Sequence, residues 1–176
     1  MEYLKSRSEI KSDHIGLTGF SQAGWVIPLA ASQSEDIAYF IILSGPVTSV
    51  GHEDLYSAYT NDGESSVQYS MEEIMSKLAD VPQSGFDSTP VIAQLDQPGL
   101  WIWGDRDQSI PVPECEANLK ALIDAGQSNF SYRVLPNADH NLQQTTQGLF
   151  NEIAYSSGYQ EDFYKTMVQW LNEHVK

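Results

Sequence analysis

The amino-acid sequence predicts an α/β protein in which a parallel sheet carries helices on both faces. Apolar runs of the kind found in buried parallel strands alternate along the chain with segments of helical periodicity. These runs lie at residues 15–20, 37–43, 100–103 and 131–135. Because right-handed strand–helix–strand units place successive parallel strands in one sheet, we expect about four strands in a single sheet.

Three further segments have the residue pattern of helices. Residues 22–32 follow the first strand directly and are rich in alanine, isoleucine and leucine, and Pro28 is expected to kink this helix. Residues 113–125 carry apolar side chains at helical spacing between a proline and a glycine, and residues 163–175 form an amphipathic stripe. These segments separate and follow the strands, as a parallel sheet requires.

The pattern changes between residues 46 and 98. Polar residues, glycines and prolines interrupt this segment, and residues 70–78 have its best local helix pattern. An insertion of this size is typical of a cap or lid over a substrate site, although a mobile surface connection explains any given stretch equally well. The 176 residues suffice for one core, so we predict a single domain over residues 1–176 with a cap or lid insertion at 46–98.

Charge and cysteine content limit the partners and the compartment. The formal net charge of −15 disfavours binding to nucleic acid or to an anionic membrane, since both are negatively charged. No apolar stretch approaches the roughly 20 residues of a membrane-spanning helix. The lone Cys115 cannot form an internal disulfide, and residues 1–5 lack the apolar run of a secretory signal, so we expect a cytoplasmic location.

Three short motifs lie at the ends of predicted strands. Gly19-Phe20-Ser21-Gln22-Ala23-Gly24 follows the first strand, Gly104-Asp105-Arg106-Asp107 follows the third, and Asp139-His140 lies after the last. The order Ser…Asp…His is the chain order of the triad in α/β-hydrolases. Because the carboxyl ends of parallel strands meet at one edge of a sheet, we expect these motifs to lie close together.

The chain resembles the C-terminal portion of serine hydrolases with the α/β-hydrolase fold, of the esterase and acyl-peptidase kind. The resemblance rests on Ile15-Gly16-Leu17-Thr18-Gly19-Phe20-Ser21-Gln22, on Trp101-Ile102-Trp103-Gly104-Asp105-Arg106-Asp107, and on segments 3–7 and 163–175. A full member has several strands before the nucleophile strand, so the resemblance implies that N-terminal strands are missing. The chain departs from the family pattern G-x-S-x-G at Ala23.

Ser21 is the candidate nucleophile. A strand that reverses into a helix within two or three residues needs small neighbours and forces the serine into a strained backbone conformation that exposes its hydroxyl. Gly19 and Gly24 meet this need, and Ala23 adds one methyl group. A short motif of this kind also arises by chance, but the preceding strand, the following helix and the ordered partners favour the functional interpretation.

The acid and the histidine are assigned by position. The resemblance selects Asp107 over Asp105, because the family's acid stands three residues after the strand-ending glycine; both aspartates could instead stabilise the turn. Among four histidines, only His140 lies in the loop after the last strand. His140 would act as general base toward Ser21 and then as general acid, while Asp107 would hold its ring in one orientation.

The oxyanion hole is only partly accounted for by the sequence. The backbone N–H of Gln22 can supply one donor, whereas the second normally comes from a loop after an early strand that this chain lacks. Losing one donor costs on the order of 10²–10³ in rate.

Two function classes therefore stay open. The first is a serine hydrolase that acts through an acyl-enzyme on carboxylic esters or, less favoured, on amides or peptides. The second is a truncated, catalytically weak relative with a binding or assembly role.

Cofactors and partners follow from what the motifs contain. No nucleotide-binding glycine fingerprint and no metal-ligand spacing occurs in the sequence, so no cofactor and no metal are expected. The expected ligand is a small-molecule ester or acyl compound. A sheet that begins at the nucleophile strand exposes unpaired backbone groups, so we also expect a homodimer or another homo-oligomer; residues 1–11 folding over that edge is the alternative.

Overall fold

Four parallel strands form one sheet. The computed structural model describes residues 1–66, 69–150, 152, 158–160 and 162–175. Each strand pairs in parallel with the next along the chain. The strands are β1 (Leu17–Phe20), β2 (Phe40–Leu43), β3 (Gly99–Gly104) and β4 (Phe130–Leu135). The predicted α/β class and the parallel sheet are confirmed.

The strands alternate with α-helices and two short 3₁₀ turns. The 3₁₀ turns lie at Ser12–His14 and Asn61–Gly63. The helices of the described residues are α1 (Glu2–Lys5), α2 (Ala23–Ser32), α3 (Val50–Thr60), α4 (Met71–Ala79), α5 (Thr89–Ile92), α6 (Val112–Asp124) and α7 (Asp162–His174). Within that part of the chain, no helix combines the length and the apolar character needed to cross a bilayer.

The element boundaries differ from the sequence prediction by one to three residues. The apolar run predicts β2 from residue 37, but the strand begins at Phe40. The residues before it still form paired backbone, since the Ala38 N–H donates to the Ile15 carbonyl at 2.9 Å. Gly99 and Gly104 belong to β3 although neither has an apolar side chain that a hydrophobicity pattern could detect.

The helix α3 was not predicted. Its sequence, VGHEDLYSAYT, contains glycine, β-branched and polar residues with weak helix propensity. Capping and burial stabilise the helix instead. The Ser49 side chain caps the first turn, and the side chains of His52, Tyr56 and Thr60 are buried. The predicted helix at 70–78 is found as α4, and a reciprocal capping box explains why it begins after Ser70.

The sheet has an apolar layer on each face. On one face, side chains of α2 and α6 pack around the fully buried Phe40 and Trp101. On the other face, Phe163 and Trp170 of α7 pack against alternate residues of the central strands. Side chains of successive strand residues point to opposite faces, so a continuously apolar strand needs both layers.

Segment 46–98 also has a small apolar cluster of its own. Tyr56 of α3 and Ile74 and Leu78 of α4 are almost fully buried against one another. This cluster packs α3 and α4 together beside the sheet. The role of the segment as a cap or lid stays a prediction.

Dimerisation is expected to respond to salt. Strand β1 stands at one end of the sheet order, and Phe20, Val26 and Leu29 of β1 and α2 are exposed apolar side chains. A dimer that covers such surface must bring together two chains of charge −15, so added salt should tighten it by screening. Light scattering over a range of protein and salt concentrations measures this; a monomer mass throughout would contradict it.

Candidate active site

Ser21 occupies a sharp turn between β1 and α2. Its φ of 55° lies in the left-handed region, which residues other than glycine rarely adopt. The Ser21 N–H donates to the Leu43 carbonyl at 2.9 Å, and the Ser21 carbonyl accepts from the Gly24 N–H at 2.9 Å. The turn is thus held on both sides, with the serine at its apex.

Small residues around Ser21 are required by close backbone contacts. A Cβ at position 24 would lie 2.4 Å from the backbone nitrogen of Pro46, so only glycine fits at Gly24. A Cβ at position 19 would lie 2.5 Å from the Cβ of Ala23. Ala23 therefore occupies space that Gly19 leaves open, which explains how the turn accepts alanine where the family pattern has glycine.

The structure brings Ser21, Asp107 and His140 together. Nε2 of His140 lies 3.1 Å from Oγ of Ser21, and Nδ1 of His140 lies 2.9 Å from Oδ2 of Asp107. Asp105 lies apart from this chain of hydrogen bonds and is 3.7 Å from the guanidinium of its neighbour Arg106. Its side chain is 37% exposed, whereas that of Asp107 is 0% exposed.

The carboxylate of Asp107 is oriented by its own loop. Oδ1 accepts the backbone N–H groups of Ser109 and Ile110, both at 2.8 Å, which leaves Oδ2 for His140. A Cβ at Gly104 would lie 2.2 Å from the Ala138 carbonyl oxygen. The loop of residues 105–111, which carries Asp107 and is called the acid loop below, therefore packs backbone against backbone with the loop after β4 that carries His140.

The loop that carries His140 is closed by the preceding residue. Oδ1 of Asp139 accepts the Gln143 N–H at 2.8 Å, and the Asp139 N–H donates to the Gln143 carbonyl at 3.0 Å. The ring of Phe20 lies 4.8 Å from the imidazole of His140, centroid to centroid. The imidazole is thus positioned by its loop and by the residue before the serine.

The charges around His140 favour its protonated form. Burial lowers the pKa of His140 and is the largest single influence on it. The charge of Asp107, its hydrogen bond and the charges of Asp62 and Asp139 together raise this pKa by more, so it lies above its ordinary value. A group that accepts a proton during a reaction is helped by surroundings of this kind.

Comparison with models of known protein families identifies the family of this chain. The profile of the prolyl oligopeptidase family matches residues 1–176. The chain belongs to this family. This match confirms the family resemblance seen in the sequence. Among curated proteins, none gives a significant match.

Solved structures share the fold of this prolyl oligopeptidase family member. An esterase from Pyrococcus furiosus is 17% identical, with a TM-score of 0.59 over 99% of this chain and 59% of the esterase. An acylaminoacyl peptidase from Pyrococcus horikoshii is 17% identical, with a TM-score of 0.58 over 99% of this chain and 26% of the peptidase. The chain therefore spans less than two thirds of the length of either relative.

Two residues of α3 near the site were missed by the sequence analysis. The hydroxyl of Tyr56 donates to the backbone carbonyl of Asp107 at 2.7 Å. Glu53, one turn earlier, has a pKa raised to about 7, mainly by burial and then by Asp54 and Asp62. The charge of His140 acts in the opposite direction on this carboxyl. Helical spacing of residues 53 and 56 was the available signal, but it requires α3 to be recognised as a helix.

The backbone N–H of Gln22 is free to bind an oxyanion. It immediately precedes α2, and no acceptor for it lies among the described residues. The positive end of the helix dipole also lies at this point, which favours negative charge there. The second donor predicted from the family is not identified among the described residues.

Other reactive side chains of this family member are engaged elsewhere. Nδ1 of His52 lies 2.9 Å from the Glu114 carboxylate, and Cys115 is buried with its Sγ accepting from the Val47 N–H at 3.3 Å. In the residues that the structure describes, no three His, Cys, Asp or Glu side chains are grouped to hold a metal ion. The absence of cofactors stays a prediction.

Proposed function

We propose that this chain carries the triad of a serine hydrolase that cleaves carboxylic esters through an acyl-enzyme, with amides or peptides as the less favoured substrate class. The observation that carries the proposal is the continuous path from Ser21 Oγ through His140 to Asp107, with separations of 3.1 and 2.9 Å. Membership of the prolyl oligopeptidase family supports the same chemistry.

In acylation, Oγ of Ser21 attacks the acyl carbon while Nε2 of His140 accepts the hydroxyl proton. The tetrahedral intermediate collapses, the bond to the leaving group breaks, and His140 gives its proton to the leaving alcohol or amine. In deacylation, water attacks the acyl carbon, His140 accepts a water proton, and the carboxylic acid leaves as Ser21 Oγ recovers its proton. Bonds and protons balance over the cycle.

Asp107 and Gln22 support these steps without reacting. The Asp107 carboxylate accepts a hydrogen bond from Nδ1–H of His140, which keeps the proton on Nδ1 and leaves Nε2 unprotonated toward the serine, and it stabilises the imidazolium that forms. The Gln22 N–H donates to the oxyanion of the tetrahedral intermediate.

The substrate is proposed to be a small-molecule ester or acyl compound. The Pyrococcus furiosus relative is named an esterase and the Pyrococcus horikoshii relative an acylaminoacyl peptidase, which supports ester and acyl-amide bonds as the two classes. The negative charges of Asp62 and Asp139 act on His140, so a strongly anionic group on the substrate is disfavoured at this end of the site.

A fluorophosphonate probe tests the proposal directly, because it phosphonylates only an activated serine. We expect the purified chain to be labelled at Ser21 and to release nitrophenol from a short-chain nitrophenyl ester with an initial burst. Absence of both labelling and hydrolysis would overturn the proposal and favour the alternative, a catalytically weak relative with a binding or assembly role.

A further inference from the structure

Helix α3 donates three hydrogen bonds to three successive carbonyls of the acid loop. Tyr56 donates to the carbonyl of Asp107 at 2.7 Å, and Ser57 donates to that of Ser109 at 3.0 Å. Thr60 donates to the carbonyl of Gln108 between them. The donors lie at positions 56, 57 and 60, which share one face of a helix.

The contact made by Tyr56 differs from the other two. It reaches Asp107 itself, the residue whose Oδ2 faces His140, and it is buried, since Tyr56 is 0% and Asp107 2% exposed. Among the described residues, the Tyr56 hydroxyl is the one donor to this carbonyl. Asp107 is therefore fixed at its side chain by Ser109 and Ile110 and at its backbone by Tyr56.

We propose that Tyr56 is a positioning residue for the acid of the triad, holding the Asp107 backbone so that Oδ2 meets Nδ1 of His140. The inference rests on the proposed function and deepens it. It adds one residue of segment 46–98, Tyr56, to the parts that set the triad geometry, and the Tyr56 ring is itself held by Ile74 and Leu78 of α4.

The physical reason is the sensitivity of a triad to small displacements. Without the hydroxyl, the buried Asp107 carbonyl has no donor and the loop relaxes toward another partner. A misplacement of about 1 Å can cost on the order of 10²-fold in rate. A longer Asp107–His140 separation also weakens the attraction that raises the pKa of His140.

The test is Tyr56→Phe, which removes one oxygen and keeps the ring in its cluster. We expect kcat for a nitrophenyl ester to fall on the order of 10-fold, with little change in KM. The acidic limb of the kcat/KM profile should move to lower pH, because His140 then binds its proton less tightly. The other charged groups that act on His140 are Asp62, Asp139 and Glu53, and Tyr56 contacts none of them, so we expect the shift to report on Asp107.

Ser57→Ala is the matched control. It removes the same kind of hydrogen bond from the same helix face, but from the carbonyl of Ser109. We expect it to lower thermal stability by a comparable amount while changing kcat and the acidic limb by less than about twofold. An equal fall of kcat in both variants would reduce Tyr56 to a structural role and overturn the inference.

An NMR titration of the His140 imidazole separates this inference from the proposed function. The His140 pKa should fall in Tyr56→Phe and stay unchanged in Ser57→Ala, whether or not the chain turns over an ester. Unchanged pKa and kcat in Tyr56→Phe would overturn the positioning role even if the wild-type chain is labelled by the probe. Failure of wild-type labelling would overturn the proposed function alone.

Discussion

Replacing Ser21 with alanine is expected to abolish probe labelling and to lower ester hydrolysis by on the order of 10⁴–10⁶-fold. The variant keeps the Cβ and loses only Oγ, the atom 3.1 Å from Nε2 of His140. No acyl-enzyme can form without it. Replacement of His140 with alanine should cause a comparable loss, because triad members act as one unit. Hydrolysis of a nitrophenyl ester and fluorophosphonate labelling measure both losses.

Ser44→Ala provides a matched control for the Ser21 variant. Ser44 also follows a strand with a positive φ, 46°, and its buried Oγ has no hydrogen-bond partner among the described residues. We expect this variant to keep labelling and turnover, since Ser44 has no histidine beside its hydroxyl. Labelling that persists in Ser21→Ala would show that another nucleophile reacts, and loss of labelling in Ser44→Ala would show that the assay reports folding.

The central strands β2 and β3 were predictable because a strand buried on both faces needs apolar residues at nearly every position. Strands β1 and β4 stand at the ends of the sheet and are partly exposed, so their apolar runs are shorter and mixed with polar residues. The same reasoning could not find α3. Its residues have weak intrinsic helix propensity, and the helix is stabilised by contacts such as Ser57 with Ser109, 52 positions away in the chain. Tertiary contacts of that range leave no local pattern.

In the candidate site, too, some residues could be predicted from the sequence and others could not. Loops at the carboxyl ends of parallel strands converge, so strand order alone suggested that Ser21 and His140 would meet. The choice between Asp105 and Asp107 needed the family resemblance, because two aspartates two residues apart share one strand end. The contact of Tyr56 could not be predicted from the sequence for a different reason. Tyr56 donates to a backbone carbonyl, and any residue type at position 107 would offer that acceptor.

The choice of acid leads to the second large expected effect, a fall in kcat on the order of 10⁴-fold for Asp107→Asn. An amide can still accept the N–H groups of Ser109 and Ile110 through its oxygen, so the loop geometry should be retained. Its NH₂ group then faces Nδ1 of His140 and stabilises the tautomer that carries its proton on Nε2, which cannot accept a proton from Ser21. Ester hydrolysis at neutral pH measures the fall.

Asp105→Asn is the control, with an expected change in kcat of less than about threefold. Asp105 lies two residues away and is partly exposed, and its ion pair with Arg106 spans 3.7 Å, so it is worth little. The two variants remove the same charge from the same loop, and only Asp107 contacts His140.

The pH dependence of the two variants adds a second distinction. Asp107 raises the pKa of His140, so its neutralisation should move the acidic limb of kcat/KM to lower pH, while Asp105→Asn should leave that limb in place. A larger loss in Asp105→Asn than in Asp107→Asn would show that Asp105, and not Asp107, is the acid of the triad. We expect the opposite result because burial and hydrogen bonding to the imidazole, rather than position in the sequence, determine which carboxylate can support the histidine.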